Sequence, residues 1–222
     1  MHPVWFKYPQ DKNTFALEYQ FFFGDSILVS PVTEENATSV SIYLPQDVFY
    51  EFDTLSAVKG TGSSITLSDV PFTKIPLHIK GGAILPLRVQ SAMTTTALRK
   101  KDFEFIVAPD VHGEATGSLY IDDGESIKPD SSTDVKLEFK NGKLEMRGDF
   151  GFKPDGVKIS LVRFLGVESK PDRVEVNGEH LRDGGGDGGD GSGPGFSYDS
   201  MRKVLDVVID LPFEDDLTVK YF

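Results

Sequence analysis

The chain has 222 residues, 39% of them hydrophobic, with 17 Phe and 7 Tyr; this suits one large domain or two ordinary ones built around packed cores. Its formal charge is −12, from 23 Lys and Arg against 35 Asp and Glu, and an acidic surface without a basic cluster argues against nucleic acid as a partner. With no cysteine, disulfides and thiolate metal sites are excluded, and no apolar run is long enough to span a bilayer.

The first fifteen residues, MHPVWFKYPQDKNTF, lack the charged start and apolar core of a signal peptide. Trp5 and Phe6 sit in a strand-like stretch, an abrupt beginning expected of a fragment, a processed chain or an incomplete reading of the gene. A turn or two of helix is predicted near Phe15 to Tyr19. In the polar loop TEENATS, Asn36-Ala37-Thr38 forms an N-glycosylation acceptor. From there the dominant period is two. Val40, Ile42 and Leu44 alternate with Ser41 and Tyr43, the pattern of a half-buried strand. His78 alternates with Ile79 ahead of the paired Gly81 and Gly82, which predict a bulge or a close backbone approach.

The stretch RVQSAMTTT, residues 88–96, is polar and aperiodic, and a domain boundary is placed there. Beyond it Phe103, Phe105 and Val107 alternate with Glu104 and Ile106, and Val157, Ile159 and Leu161 alternate with Lys158 and Ser160. Between these runs, Val135, Leu137 and Phe139 lead into Asn141-Gly142, a type I′ hairpin signal, and Leu144 and Met146 return on the same face. Asn177-Gly178 repeats the signal. Residues 183–195, DGGGDGGDGSGPG, read as a flexible insertion in a hairpin loop. Residues 185–190 fit one copy of a calcium-binding β-roll repeat, but no second copy follows and Ser192 stands where an apolar residue belongs. Many short strands with turn signals and no long helix predict an all-β chain of antiparallel sandwiches.

The search for chemistry starts at GSLYIDDGES, where Asp122 and Asp123 are adjacent. Glycosidases need two carboxyl groups about 5–5.5 Å apart when retaining and about 6.5–9.5 Å when inverting. Neighbours in a strand point to opposite faces, and Asp-Gly is a turn signature whose carboxylate bonds to nearby backbone N–H groups. The pair is therefore read as a turn. His2, His78, His112 and His180 show no metal-ligand spacing, and there is no nucleophile elbow or phosphate loop. No catalytic, cofactor or metal residue is assigned.

Several stretches in order resemble one family. HPVWFKYPQD, YQFFFGDSILVSPV and VSIYLPQDVFYEF, then IPLHIKGGAILPL, GEATGSLYIDDGES and KVLDVVIDLPF, are similar to the region after the catalytic barrel of glycoside hydrolase family 31, the α-glucosidases. TTTALRK and the last strands look closer to its maltase and acid α-glucosidase branch than to its endoplasmic-reticulum processing branch. The resemblance implies two C-terminal β-sandwiches, at residues 16–92 and 93–222, preceded at residues 1–15 by a remnant of the last strand of a (β/α)8 barrel. The Gly-rich insert departs from the family pattern.

The family's nucleophile lies in a W-x-D-x-N-E motif on the barrel, whereas the one Trp here, Trp5, is followed by Phe6 and Lys7. The resemblance thus implies an accessory part of a retaining α-glucosidase, with the N-terminal barrel part as partner, α-glucosides reached through it, no cofactor, and a secreted, vacuolar or lysosomal parent enzyme. Without the barrel, the segment before about Phe15 is expected to be sticky or partly disordered. The alternatives are the C-terminal chain of a processed two-chain enzyme, or an independent carbohydrate-binding sandwich with Phe49, Tyr50 and Phe52 as a sugar platform.

Overall fold

A computed structural model describes residues 1–184 and 193–222 of the protein. The chain is nearly all β. The first eight strands are β1 (His2–Pro3), β2 (Phe21–Phe23), β3 (Ile27–Val29), β4 (Val40–Leu44), β5 (Val48–Glu51), β6 (Ala57–Lys59), β7 (Ser63–Leu67) and β8 (Leu77–Lys80). They form a six-stranded sheet in the order β1-β2-β3-β8-β5-β6 and a β4-β7 pair. All of these pairings are antiparallel. Val4, Phe22, Leu28, Ile42, Leu44 and Phe49 fill the space between sheet and pair.

The remaining strands are β9 (Ala83–Arg88), β10 (Phe103–Ala108), β11 (Ala115–Ile121), β12 (Thr133–Lys140), β13 (Lys143–Phe150), β14 (Lys158–Phe164), β15 (Val174–Val176), β16 (Glu179–His180), β17 (Gly195–Asp199), β18 (Val204–Pro212) and β19 (Leu217–Tyr221). They make one continuous sheet, β16-β15-β19-β13-β12-β11-β9-β10-β14-β18-β17. Residues from both arms share a single core. Phe139 of β12 lies 5.4 Å from Phe164 of β14, and Phe164 lies 5.3 Å from Tyr221 of β19. The sheet is therefore folded over on itself as a sandwich. β10 pairs with β14, and β9 with β11, in parallel, two exceptions to the antiparallel rule.

The hairpins form where turn chemistry directs them. Asn141 and Gly142 adopt φ of 51° and 72°, and Asn177 and Gly178 adopt 50° and 85°, the two positive values that a type I′ turn requires. Every second residue of β12 is buried. Strand β4 departs from its alternation, because Tyr43 is buried as well as Ile42 and Leu44. The N-terminal segment covers its second face: the Tyr43 hydroxyl bonds to Asp11 Oδ2 at 2.6 Å and accepts from Asn13 Nδ2 at 3.2 Å.

Three local expectations are corrected. Val4–Lys7 is a single helical turn, α1, rather than a barrel-type strand; Pro3 caps it in an extended conformation, and Tyr8 N–H closes the turn on Val4 O at 3.2 Å. The helical turn foreseen near Phe15 to Tyr19 falls earlier, as a 3-10 turn at Lys12–Thr14 capped by Asp11. The segment before Phe15 is packed rather than partly disordered: Val4 is fully buried, and the Tyr8 hydroxyl donates to Asp47 Oδ2 at 2.9 Å, although Trp5 and Phe6 stay exposed.

Gly81 and Gly82 are where the chain leaves the six-stranded sheet and enters the large one. Gly81 N–H donates to Val48 O and Gly82 N–H to Ala108 O, each at 2.8 Å. A Cβ on Gly81 would run into the Val48 side chain and stand 2.9 Å from Pro109 O, so close approach is the reason for the glycine. This handover precedes the polar stretch 88–96, which instead carries a short helix, α2 (Thr95–Leu98). Tyr50 and Ile79 of the first unit share a buried cluster with Ile106, Ala108, Leu165 and Val204 of the second. The Tyr50 hydroxyl donates to Pro109 O at 2.9 Å. Of the Gly-rich insert, the flanks meet: Gly184 N–H bonds to Phe196 O at 2.8 Å. The calcium-like stretch 185–190 lies outside the described residues.

Candidate functional site

Asp122 and Asp123 follow the end of β11 and build a turn. Asp122 Oδ1 accepts from Gly124 N–H at 2.8 Å and lies 3.3 Å from Arg99 Nη2, which also donates to the Asp122 carbonyl. Asp123 Oδ1 accepts from Glu125 and Ser126 N–H groups, both at 3.0 Å. The Ser126 side chain and these two N–H groups lower the Asp123 carboxyl to about 2. A carboxylate so occupied stays ionised at neutral pH and cannot deliver a proton. The two side chains shape one loop, each bonded to backbone N–H groups within it.

The histidines are scattered. His2 stacks 5.7 Å from Phe6, His112 is exposed in the β10–β11 turn, and His180 sits beside Glu175 at 3.6 Å. His78 is buried, and its Nδ1 has no partner. Burial lowers its pKa, against the pull of Glu51. Among the described residues no group of three or more His, Asp or Glu is placed to hold a metal ion. Phe49 and Tyr50 are core residues, which removes them from any sugar platform. Asn36 is exposed in the β3–β4 loop with φ of 59°.

The surface that stands out lies near the first residues. Trp5, Phe6, Phe15, Tyr19 and Phe23 are 42–63% exposed, and all belong to the segment that carries β1 and β2 at one edge of the six-stranded sheet. Trp5 and Phe6 contact edge to face at 4.4 Å. Phe22, between two more exposed neighbours, is fully buried. Exposed aromatic rings gathered on one segment are what an interaction surface is commonly made of. Beside it, Lys7 pairs with Asp25 at 2.5 Å, and Lys80 with Asp47 at 3.2 Å. The aromatic composition of the segment was readable from its letters. Which rings face outward was not, because α1 replaces a strand and shifts them.

Residues 1–85 match the model of the glycosyl hydrolase family 31 C-terminal domain. A "Probable alpha/beta-glucosidase agdC" of Neosartorya fischeri is 50% identical over 221 residues, which are 98% of this chain and 23% of that protein. "Glucoamylase 1" of Candida albicans is 36% identical over 175 residues, 78% of this chain and 18% of that protein. The chain thus spans about a fifth of the length of these curated relatives. Among solved structures, a DNJ-bound glucosidase II alpha subunit superposes with a TM-score of 0.80 at 20% identity, covering 100% of this chain and 25% of the other. The GH31 dextranase of Flavobacterium johnsoniae, complexed with glucose, gives 0.73 at 24%, covering 99% and 28%. At these identities the likeness is one of fold.

Proposed function

Because the chain belongs to glycoside hydrolase family 31, matching its C-terminal domain, we propose that it is the accessory C-terminal part of a retaining α-glucosidase that removes terminal α-linked glucose. The observation that carries this reading is the exposed aromatic segment from Trp5 to Phe23, a surface suited to cover by the barrel part of the same enzyme. The nucleophile and the acid/base are assigned to that barrel part, and residues 1–222 support and flank it. The six-stranded sheet with its β4-β7 pair, and the large folded sheet that begins after Gly82, serve as its two sandwiches, coupled through the Tyr50 cluster.

The test is reconstitution. The 222-residue chain alone is expected to give no turnover of a chromogenic α-glucoside, while co-expression with a barrel part from a relative restores it. Turnover by the chain alone overturns the reading, as does full activity of the barrel part without it. The exposed Asn36 is proposed to carry an N-glycan, as suits a secreted or vacuolar parent enzyme. No helix among the described residues is long and apolar enough to cross a membrane. Expression in a secretory host followed by treatment with a peptide:N-glycanase, an amidase that cuts the Asn–glycan bond, should leave Asn36 converted to Asp; an unmodified Asn36 peptide contradicts the assignment.

A further inference from the structure

A cleft of about 460 Å3 opens between α2, the loop after β11 and the loop after β13. That size lies within the roughly 300–1,000 Å3 range of small-molecule sites. Its walls are held in place by contacts outside the sheet ladders. On one side Arg99 clamps the Asp122 turn, and a Cβ on Gly124 would stand 2.5 Å from Arg99 Cζ. On the floor, Phe152 N–H donates to Ser132 O at 3.1 Å, and Phe152 O accepts from Thr133 Oγ1 at 2.6 Å. Arg88 packs its guanidinium 3.7 Å over the Phe103 ring and donates Nη1 to Lys101 O. Groups fixed in this way lose little freedom on binding a ligand.

The chemistry of the lining narrows the ligand. Arg88, Arg99 and Lys100 face Asp123, Glu125 and Asp155, so the charges balance. The three charges of each sign offset one another, so the cleft as a whole has no net field to draw in a sulfate or a metal ion. Arg88 uses one of its five N–H donors within the protein. Burial, with Arg99 beside it, lowers its pKa to about 10. Lys100, Glu125 and Asp155 are exposed and, among the described residues, form no ion pair. Free donors and acceptors thus surround a shelf made by Phe152 and Pro154. Hydroxyl groups take both donors and acceptors, and the C–H face of a sugar ring packs on an apolar shelf.

We propose that this cleft, with Arg88, Lys100, Glu125, Asp155 and Phe152 as its contacts, is a binding site for a neutral oligosaccharide. The assignment does not rest on the accessory role proposed above. Titrate the 222-residue chain with maltotriose, isomaltotriose, cellotriose and xylotriose by calorimetry, and repeat with Lys100→Ala and Asp155→Ala. At least one sugar should bind, and each variant should weaken it about tenfold, the size expected for a lost charged hydrogen bond, with unchanged melting. Three results overturn the proposal: none of the sugars binds, both variants bind as the parent does, or inorganic sulfate binds in competition with the sugar and is lost in Lys100→Ala.

Discussion

The side-chain amide of Gln20 grips the backbone of Tyr43 as a strand partner would. Gln20 Oε1 accepts from Tyr43 N–H at 2.6 Å, and Gln20 Nε2 donates to Tyr43 O at 3.1 Å and to Ser30 Oγ at 2.9 Å. Gln20, Ser30 and Tyr43 are all buried, so water cannot replace these bonds without opening the sandwich. Each buried backbone group left unpaired costs about 1–3 kcal/mol. Gln20→Ala is expected to lower unfolding free energy by about 2–4 kcal/mol, seen as a lower denaturant midpoint with an unchanged slope. A loss under about 0.5 kcal/mol would show that water enters freely.

The same sandwich depends on its first residues. Val4 is fully buried, Tyr8 bonds to Asp47, and Asp11 bonds to Tyr43. Deleting residues 1–14 is expected to lower the melting temperature and broaden the transition, because it uncovers Ile42, Leu44 and Phe49 and removes a partner of Tyr43. A shortened chain that melts as sharply and as high as the parent would contradict this packing.

Gly81 links the two units. Gly81→Ala puts a methyl group against the Val48 side chain and the Pro109 carbonyl, and the backbone on both sides is tied by hydrogen bonds. Overpacking at such a place costs about 1–3 kcal/mol. The effect should appear as a stability loss shared by probes in both sandwiches, such as amide exchange at Phe49 and at Phe105. Gly156→Ala, where a Cβ would meet nothing within 4 Å and only a positive φ penalises the methyl group, serves as the comparison and should cost less.

His78 makes stability depend on pH. Its folded pKa lies below the ordinary value of 6.5 because burial penalises the charged ring, and Lys74 adds to this while Glu51 opposes it. The unfolded chain therefore binds the proton first. The contribution of neutral His78 is complete above about pH 6.5 and is lost as the pH falls below it. The chain should weaken between pH 7.5 and 5.5, and His78→Leu should weaken less over that interval. Equal acid sensitivity of the two proteins would remove His78 as the cause.

Much of the architecture was legible in local chemistry. Alternation marked β12, and two Asn-Gly pairs marked the β12-β13 and β15-β16 turns, because period and positive φ are properties of a few adjacent residues; along β14 the alternation breaks at an irregularity after Ile159, beyond which Val162 rather than Leu161 is buried. Asp122-Asp123-Gly124 read as a turn for the same reason. The Gly81-Gly82 pair announced a close approach, but its partners Val48 and Ala108 lie more than 25 residues away on either side and carry no local mark. Arg99, just past the polar stretch 88–96, became the clamp of the Asp122 loop only when α2 met the end of β11.

By itself the sequence determined an all-β chain, its hairpins, and the absence of cysteine chemistry, since each follows from residue type and short spacing. Tertiary structure alone decided that Val4–Lys7 turns as a helix, that Phe22 is buried while Phe23 is exposed, and that Arg88, Phe152 and Asp155 line one cleft. Those outcomes depend on which distant surfaces meet, and burial and long-range hydrogen bonds outweigh the weak preference of any four-residue stretch.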